Sequence, residues 1–218
     1  MDKKTLAKTL DHTLLKATAT PAQIKTICRE AAEIGAASVC INPVNIELAK
    51  SLLTGSGVKV CTVIGFPLGA NTSEVKAFET RDAISKGAEE IDMVINIGAL
   101  LAGDTDTVFT DIKAVVDAAN GILVKVIIET CYLDDSQKQT VCLLAKKAGA
   151  DFVKTSTGFG TGGATVADVK LMREAVGSDM KIKASGGIRD YDTAVQMLEA
   201  SADRLGVSAS IAILACAE

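Results

Sequence analysis

Two lysines and an aspartate sit inside otherwise apolar runs, and they are the residues of this sequence best suited to chemistry. Lys154 lies in Asp-Phe-Val-Lys-Thr-Ser-Thr-Gly, Lys183 in Lys-Ile-Lys-Ala-Ser-Gly-Gly and Asp92 in Glu-Glu-Ile-Asp-Met-Val-Ile-Asn. Lysine is seldom fully buried without a partner or a task. Two lysines turned into one interior repel each other, and burial adds a desolvation cost; both effects favour the neutral amine and lower a pKa. A neutral amine is a nucleophile that forms a Schiff base with a carbonyl. Asp92 shares a strand face with Val94 and Asn96 by period-two alternation and needs a polar partner among apolar neighbours. A lysine facing it would complete a pair able to shuttle protons. A plain structural reading stays open, in which the amines reach solvent or are locked in ion pairs with Asp92.

Glycine-bearing turns follow the last of these runs: Ser156-Thr157-Gly158, Ser185-Gly186-Gly187 and Gly206-Val207-Ser208. Backbone amides and hydroxyls in such turns can hold a phosphate. Asp11 and Lys125 are further polar residues within apolar runs, and Lys125 receives no specific role. Cys40 ends the second run and reads as a small buried hydrophobe at the border of a pocket. His12, the sole histidine, alternates to the face opposite Asp11, which suits a packed or surface side chain better than a catalytic one.

The elements that must position these residues follow from hydrophobic periodicity. Strands are expected over 9–13, 37–41, 58–64, 90–96, 123–129, 151–156, 181–185 and 204–207, all short and rich in Val and Ile. Amphipathic patterns predict helices over 21–34, 74–86, 106–119, 136–148, 165–176 and 191–200, with a short apolar last helix over 208–217 that should seal the fold. Thr20-Pro21 is a helix start, the stretch Asn71-Thr72-Ser73-Glu74 has capping-box spacing, and many helices end at Gly or Asn. Eight strand candidates in 218 residues leave about 27 residues per unit, lean but workable for a single-domain (β/α)8 TIM barrel spanning residues 1–218. A doubly wound eight-stranded sheet is the competing fold.

Composition excludes other classes. The chain carries 23 Lys and Arg against 27 Asp and Glu, a net charge of −4, and only seven aromatics (five Phe, two Tyr). It lacks the basic excess and stacking platforms of a nucleic-acid binder. Uncharged stretches such as 205–217 fall well short of the ~20 residues of a membrane helix. The sequence opens on no apolar leader-like run, and six scattered cysteines without a Cys-x-x-Cys pair suit reduced thiols. A cytoplasmic location and no metal site are therefore expected. A homodimer or higher homo-oligomer stays open, because no helix has a plainly two-faced apolar stripe.

Taken together, these motifs resemble the deoxyribose-phosphate aldolases, a family of class I aldolases on the barrel fold. The resemblance runs nearly end to end, through LDHTLLKATAT, ASVCINP, EEIDMVINIGALLAGD, KVIIETCYL, DFVKTSTGFGTGGAT, KIKASGGIRD and DRLGVSAS. It implies reversible cleavage of 2-deoxy-D-ribose 5-phosphate to D-glyceraldehyde 3-phosphate and acetaldehyde, with no cofactor. Lys154 would be the Schiff-base lysine, Lys183 the lysine that tunes it and Asp92 the proton-relay carboxylate. Asp11 and Cys40 match positions lining the substrate end of the pocket. Thr157, Gly158, Gly186, Gly187, Gly206 and Ser208 match the phosphate-binding turns. One departure stands out: some family members carry a lysine directly after the Ser-Thr-Gly triplet, where this chain has Phe159, so the phosphate would rely more on neutral donors. The residues alone also fit another phosphosugar-binding barrel lyase or isomerase, or a barrel that only senses a sugar phosphate.

Overall fold

The computed structural model describes residues 1–217. Eight parallel strands close into a barrel in sequence order. They are β1 (Leu10–Leu14), β2 (Ser38–Ile41), β3 (Lys59–Ile64), β4 (Glu90–Val94), β5 (Leu123–Ile127), β6 (Phe152–Lys154), β7 (Lys181–Ser185) and β8 (Arg204–Val207). Pairing of β8 with β1, Leu205 beside Leu10 and Gly206 beside Asp11, closes the ring and rules out the doubly wound sheet. Strands buried on both faces read as continuous apolar runs because helices cover one face and neighbouring side chains the other. Met93, Val94, Val126 and Val153 are fully buried in this way.

The helices are α1 (Lys3–Ala7), α2 (Pro21–Ile34), α3 (Ile46–Leu53), α4 (Ser73–Ser85), α5 (Ile97–Leu101), α6 (Thr105–Ala119), α7 (Asp135–Ala148), α8 (Val166–Val176), α9 (Tyr191–Glu199) and α10 (Ser210–Ala215). Their starts follow local chemistry. Thr20 and Gln23 form a reciprocal capping box ahead of Pro21, and Asp134 and Gln137 form another at α7. In α4 the cap is Thr72, whose side chain accepts from the Val75 amide. Gly35 and Gly149 end α2 and α7 at φ 67° and 89°, left-handed conformations that glycine adopts freely. Three helices, α1, α3 and α5, lie outside the sequence patterns, being five to eight residues long. The last helix is shorter than expected: α10 buries Ile213 and Leu214 but leaves Ile211 46% exposed.

His12 is buried on the outer face of β1, with Nε2 2.9 Å from Glu30 Oε2 on α2, as alternation from Asp11 requires. The six cysteines are free. Among the described residues no helix is long and apolar enough to cross a membrane.

One ion pair in the outer layer bears on the site. Lys76 on α4 is wholly buried, and its Nζ donates to the Val94 carbonyl at 2.8 Å and to Asp111 Oδ2 on α6 at 2.6 Å. Burial pushes the Lys76 amine down and the Asp111 carboxyl up, each opposed by the partner's charge. The pair thus ties two helices to the last residue of β4, two positions after Asp92. Asp111→Ala leaves a buried ammonium without its counter-ion, which should cost about 3–5 kcal/mol. Thermal unfolding followed by circular dichroism should then show Tm lowered by roughly 10 °C or more.

Candidate active site

Neighbouring strands turn their charged residues into the barrel, where these form a closed ring of alternating sign. Asp92 Oδ2 on β4 accepts from Lys183 Nζ on β7 at 2.7 Å. Lys183 Nζ lies 2.5 Å from Asp11 Oδ2 on β1. Asp11 Oδ1 accepts from Arg204 Nε on β8 at 2.9 Å. Arg204 Nη2 donates to Glu90 Oε2 on β4 at 2.9 Å, and that oxygen also accepts from Lys125 Nζ on β5 at 2.6 Å. Lys125 closes the ring on Asp92 Oδ1 at 2.9 Å. Ser38 and Cys61 add neutral donors, the hydroxyl at 2.7 Å from Asp11 Oδ1 and the thiol at 3.2 Å from Asp92 Oδ1. Three carboxylates thus meet three cations, and the ring is neutral.

Lys154 on β6 stands outside that balance. Its Nζ donates to Asp92 Oδ2 at 2.7 Å, the same oxygen that Lys183 occupies. Lys154 and Lys183 are register partners on adjacent strands, as the sequence implied. Repulsion and burial were expected to favour a neutral amine, and for Lys183 the structure reverses this. Burial does oppose its charge, but Asp11 and Asp92 outweigh burial and hold the ammonium well above the usual lysine range. Lys125 is held up in the same way, chiefly by Asp92. Burial would raise the Asp92 carboxyl, yet Lys125, Lys154 and Lys183 hold it well below the usual carboxylate range; Lys183, Lys125 and Arg204 do the same for Asp11.

Above the ring opens a cavity of about 420 Å³ at the C-terminal ends of the strands. Of the three interior lysines only Lys154 lines it, joined by Thr157, Gly158, Gly186, Gly187, Gly206 and Ser208. All six residues of the expected phosphate turns are therefore gathered around one space with the expected nucleophile. Gly186 and Gly187 take φ 90° and 82°, which lets the β7 turn bend tightly against the cavity. Asp11 and Cys40 do not line it. Asp11 is wholly buried in the ring, and Cys40 packs beside its register partner Cys61 with Leu15, Val63 and Phe66. Cys40 Sγ, Cys61 Sγ and an Asp92 oxygen lie within 4.8 Å of one another. Phe159 is 55% exposed at the mouth and stands edge-on to Phe66, ring centroids 5.3 Å apart. Lys16 and Arg189 also line the cavity.

The barrel as a whole has counterparts in known proteins. The DeoC/LacD family of aldolases matches residues 5–214. The chain belongs to this family. It is 65% identical over 214 residues to the deoxyribose-phosphate aldolase of Clostridium perfringens, covering 98% of this chain and 96% of that one. It is 62% identical over 209 residues to that of Streptococcus pneumoniae, covering 96% and 95%. The tetrameric deoxyribose phosphate aldolase of Aeropyrum pernix superposes with a TM-score of 0.92 at 35% identity, over 98% of this chain and 91% of that one.

In this aldolase the sequence reading missed Glu90, Arg204, Cys61, Lys16 and Arg189. Glu90 is two residues before Asp92 and so on the same strand face, a signal that alternation carries. Arg204 opens the last strand two positions before Gly206, again on one face. Lys16 and Arg189 lie in loops, where no periodicity points. The ring also fixes a pH window. The carboxylates stabilise the fold above their ordinary value of 3.8, and that contribution is lost only as pH falls through their depressed folded values. The lysines stabilise below their ordinary value of 10.5, and that is lost only as pH rises past their elevated folded values. Lys125→Met should cost about 3–5 kcal/mol at neutral pH, because the buried ring then holds three carboxylates against two cations, Arg204 and Lys183. Urea unfolding across pH should show this penalty shrinking in acid, where a protonated carboxyl needs no counter-ion.

Proposed function

We propose that this aldolase reversibly cleaves 2-deoxy-D-ribose 5-phosphate into D-glyceraldehyde 3-phosphate and acetaldehyde by Schiff-base chemistry on Lys154. The observation that carries the reading is that Lys154 alone of the interior lysines lines the cavity, while its Nζ stays 2.7 Å from the Asp92 carboxylate. As the free amine, Lys154 adds to the aldehyde carbon of the open-chain sugar, and loss of water gives an iminium. Removal of the proton from the C3 hydroxyl lets the C2–C3 bond break, its electron pair flowing into the iminium to form an enamine. Glyceraldehyde 3-phosphate leaves; protonation of the enamine carbon and addition of water release acetaldehyde and restore the amine. The iminium is the electron sink for the cleavage. Asp92, in contact with the Lys154 nitrogen, and Lys183, which donates to the same Asp92 oxygen, serve as the proton relay through a water.

The phosphate sits among the β6, β7 and β8 turns, where Ser208 offers a hydroxyl and the glycines offer amides. The phosphate was expected to lean on neutral donors because Phe159 replaces a lysine. Lys16 and Arg189 line the same cavity and supply positive charge from other loops. We place the reaction in the cytoplasm, where six free thiols stay reduced.

Borohydride reduction in the presence of acetaldehyde, followed by peptide mapping, should leave an N-ethyl group on Lys154. An adduct on Lys183 or Lys125 would reassign the nucleophile, and no adduct from folded protein would return the function to another phosphosugar barrel. Lys183→Leu removes an ammonium that shares the Asp92 oxygen with Lys154, so Asp92 is left to pair more closely with Lys154. The rate–pH profile should shift upward in pH and the rate at neutral pH should fall; an unchanged profile would show that the two amines are uncoupled.

A further inference from the structure

Glu129 lies just past β5, and the mechanism gives it no part. It is 2% exposed and takes a left-handed backbone, φ 56° and ψ 66°, which residues with side chains seldom adopt. Its carboxylate points at the loop that follows β6. Oε1 accepts from the Thr157 amide at 3.1 Å, and Oε2 accepts from the Thr157 hydroxyl. The Thr157 hydroxyl oxygen in turn accepts from the Phe159 amide at 3.0 Å. One buried carboxylate therefore fixes, directly or through one hydroxyl, the loop stretch running from Thr157 to Phe159. That stretch is a wall of the catalytic cavity and also borders a second, apolar cavity of about 300 Å³ on whose side Glu129 lies.

The rest of the loop is held as tightly. A Cβ on Gly160 would lie 3.2 Å from Glu129 Cδ and 2.9 Å from Cys131 Sγ, so the chain passes close over the Glu129 turn. A Cβ on Gly163 would lie 2.3 Å from the Gly186 carbonyl oxygen, and the Ala164 amide donates to the carbonyls of Ser185 and Gly186 at 3.1 and 3.0 Å. The β6 loop is thus wedged between the Glu129 turn on one side and the Gly186 turn on the other. Only the first of these contacts is made by a side chain, and it is made through an unusual backbone conformation.

We propose that Glu129 is a positioning residue for the phosphate-bearing end of the substrate, holding Thr157 so that the neighbouring Gly158 turn contacts it. The inference rests on the phosphosugar reading above. Because the carboxylate acts on the loop and not on Lys154, it governs substrate affinity and leaves the chemical step alone.

Steady-state kinetics with 2-deoxyribose 5-phosphate and with plain 2-deoxyribose test it in wild type, Glu129→Gly and Glu129→Gln. Glycine takes the left-handed backbone freely, so it removes the carboxylate without adding strain. Glu129→Gly should raise KM for the phosphorylated sugar at least about tenfold with kcat within about twofold, while kcat/KM for the plain sugar stays near wild type. Glu129→Gln keeps an acceptor for the amide and should restore KM to within about threefold of wild type. Equal losses on both sugars, or an unchanged KM, would overturn the role of Glu129. Absence of any wild-type preference for the phosphorylated sugar would overturn the phosphate reading itself and this inference with it. If Glu129→Gly does not fold, Glu129→Asn takes its place, because asparagine tolerates the left-handed backbone but is one methylene too short to reach Thr157: a rise in KM confined to the phosphorylated sugar supports the inference, and wild-type kinetics on both sugars refutes it.

Discussion

The Asp92 carboxylate organises the interior of this barrel. Its two oxygens accept from three ammonium groups and a thiol, on β3, β5, β6 and β7. A carboxylate and three ammoniums removed from water would each carry a desolvation cost of several kcal/mol if unpaired. The fold meets that cost by closing the charges into a ring, in which Asp11 and Glu90 supply the remaining negative charge and Arg204 bridges them. Every other requirement follows from this closure. The strands must bring their register partners to one level, and β4 must hold its end where Lys76 and Asp111 grip the Val94 carbonyl.

The ring also explains how three neighbouring lysines come to differ. Lys125 and Lys183 each touch two carboxylates, and the electrostatic balance keeps them charged. Lys154 touches one, and shares its oxygen with Lys183. It is also the one that reaches the cavity. Position relative to the ring, and not residue type, separates the two lysines locked between carboxylates from the one that faces the cavity. The simple expectation of two repelling lysines failed because it counted the like charges and left out the carboxylates of β1 and the start of β4.

Much of the fold was legible because its signals are local. Val- and Ile-rich runs bounded by caps and glycines marked each strand, and the cap at Thr20 behaves as its sequence implies, whereas the box spacing of Asn71 and Glu74 gives way to a single cap at Thr72, whose N3 residue is Val75. The short helices α1, α3 and α5 carry too few turns for a periodicity to show. The chemistry was legible where one strand's own sequence puts a charge among apolar residues, as at Lys154, Lys183 and Asp92. What one strand cannot show is which charges meet across the barrel. Asp11 and Arg204 are 193 positions apart yet hydrogen-bonded. The resemblance to the family placed Asp11 toward the substrate, whereas its carboxylate is spent on Lys183 and Arg204 deep in the interior.

The two ends of the site are built on opposite principles. At the lysine end, strand residues are locked by charge pairs inside a closed sheet, so geometry is set by the barrel itself. At the cavity rim, glycine-rich turns have no sheet to hold them, and they lean on one another: Gly163 on Gly186, Gly160 on the Glu129 turn. A rigid floor suits a covalent step, where the amine and its proton partners must keep within hydrogen-bond distance throughout. A rim of mutually supported turns suits an anion, which is bound by several weak donors whose spacing matters more than any single charge. That division leaves position 159 free to be a phenylalanine, where the resemblance to the family raised the expectation of a cation. With Phe159 resting on Phe66, the loop keeps its shape through packing and the Thr157 hydrogen bonds, while the cations that line the cavity come from elsewhere in the chain.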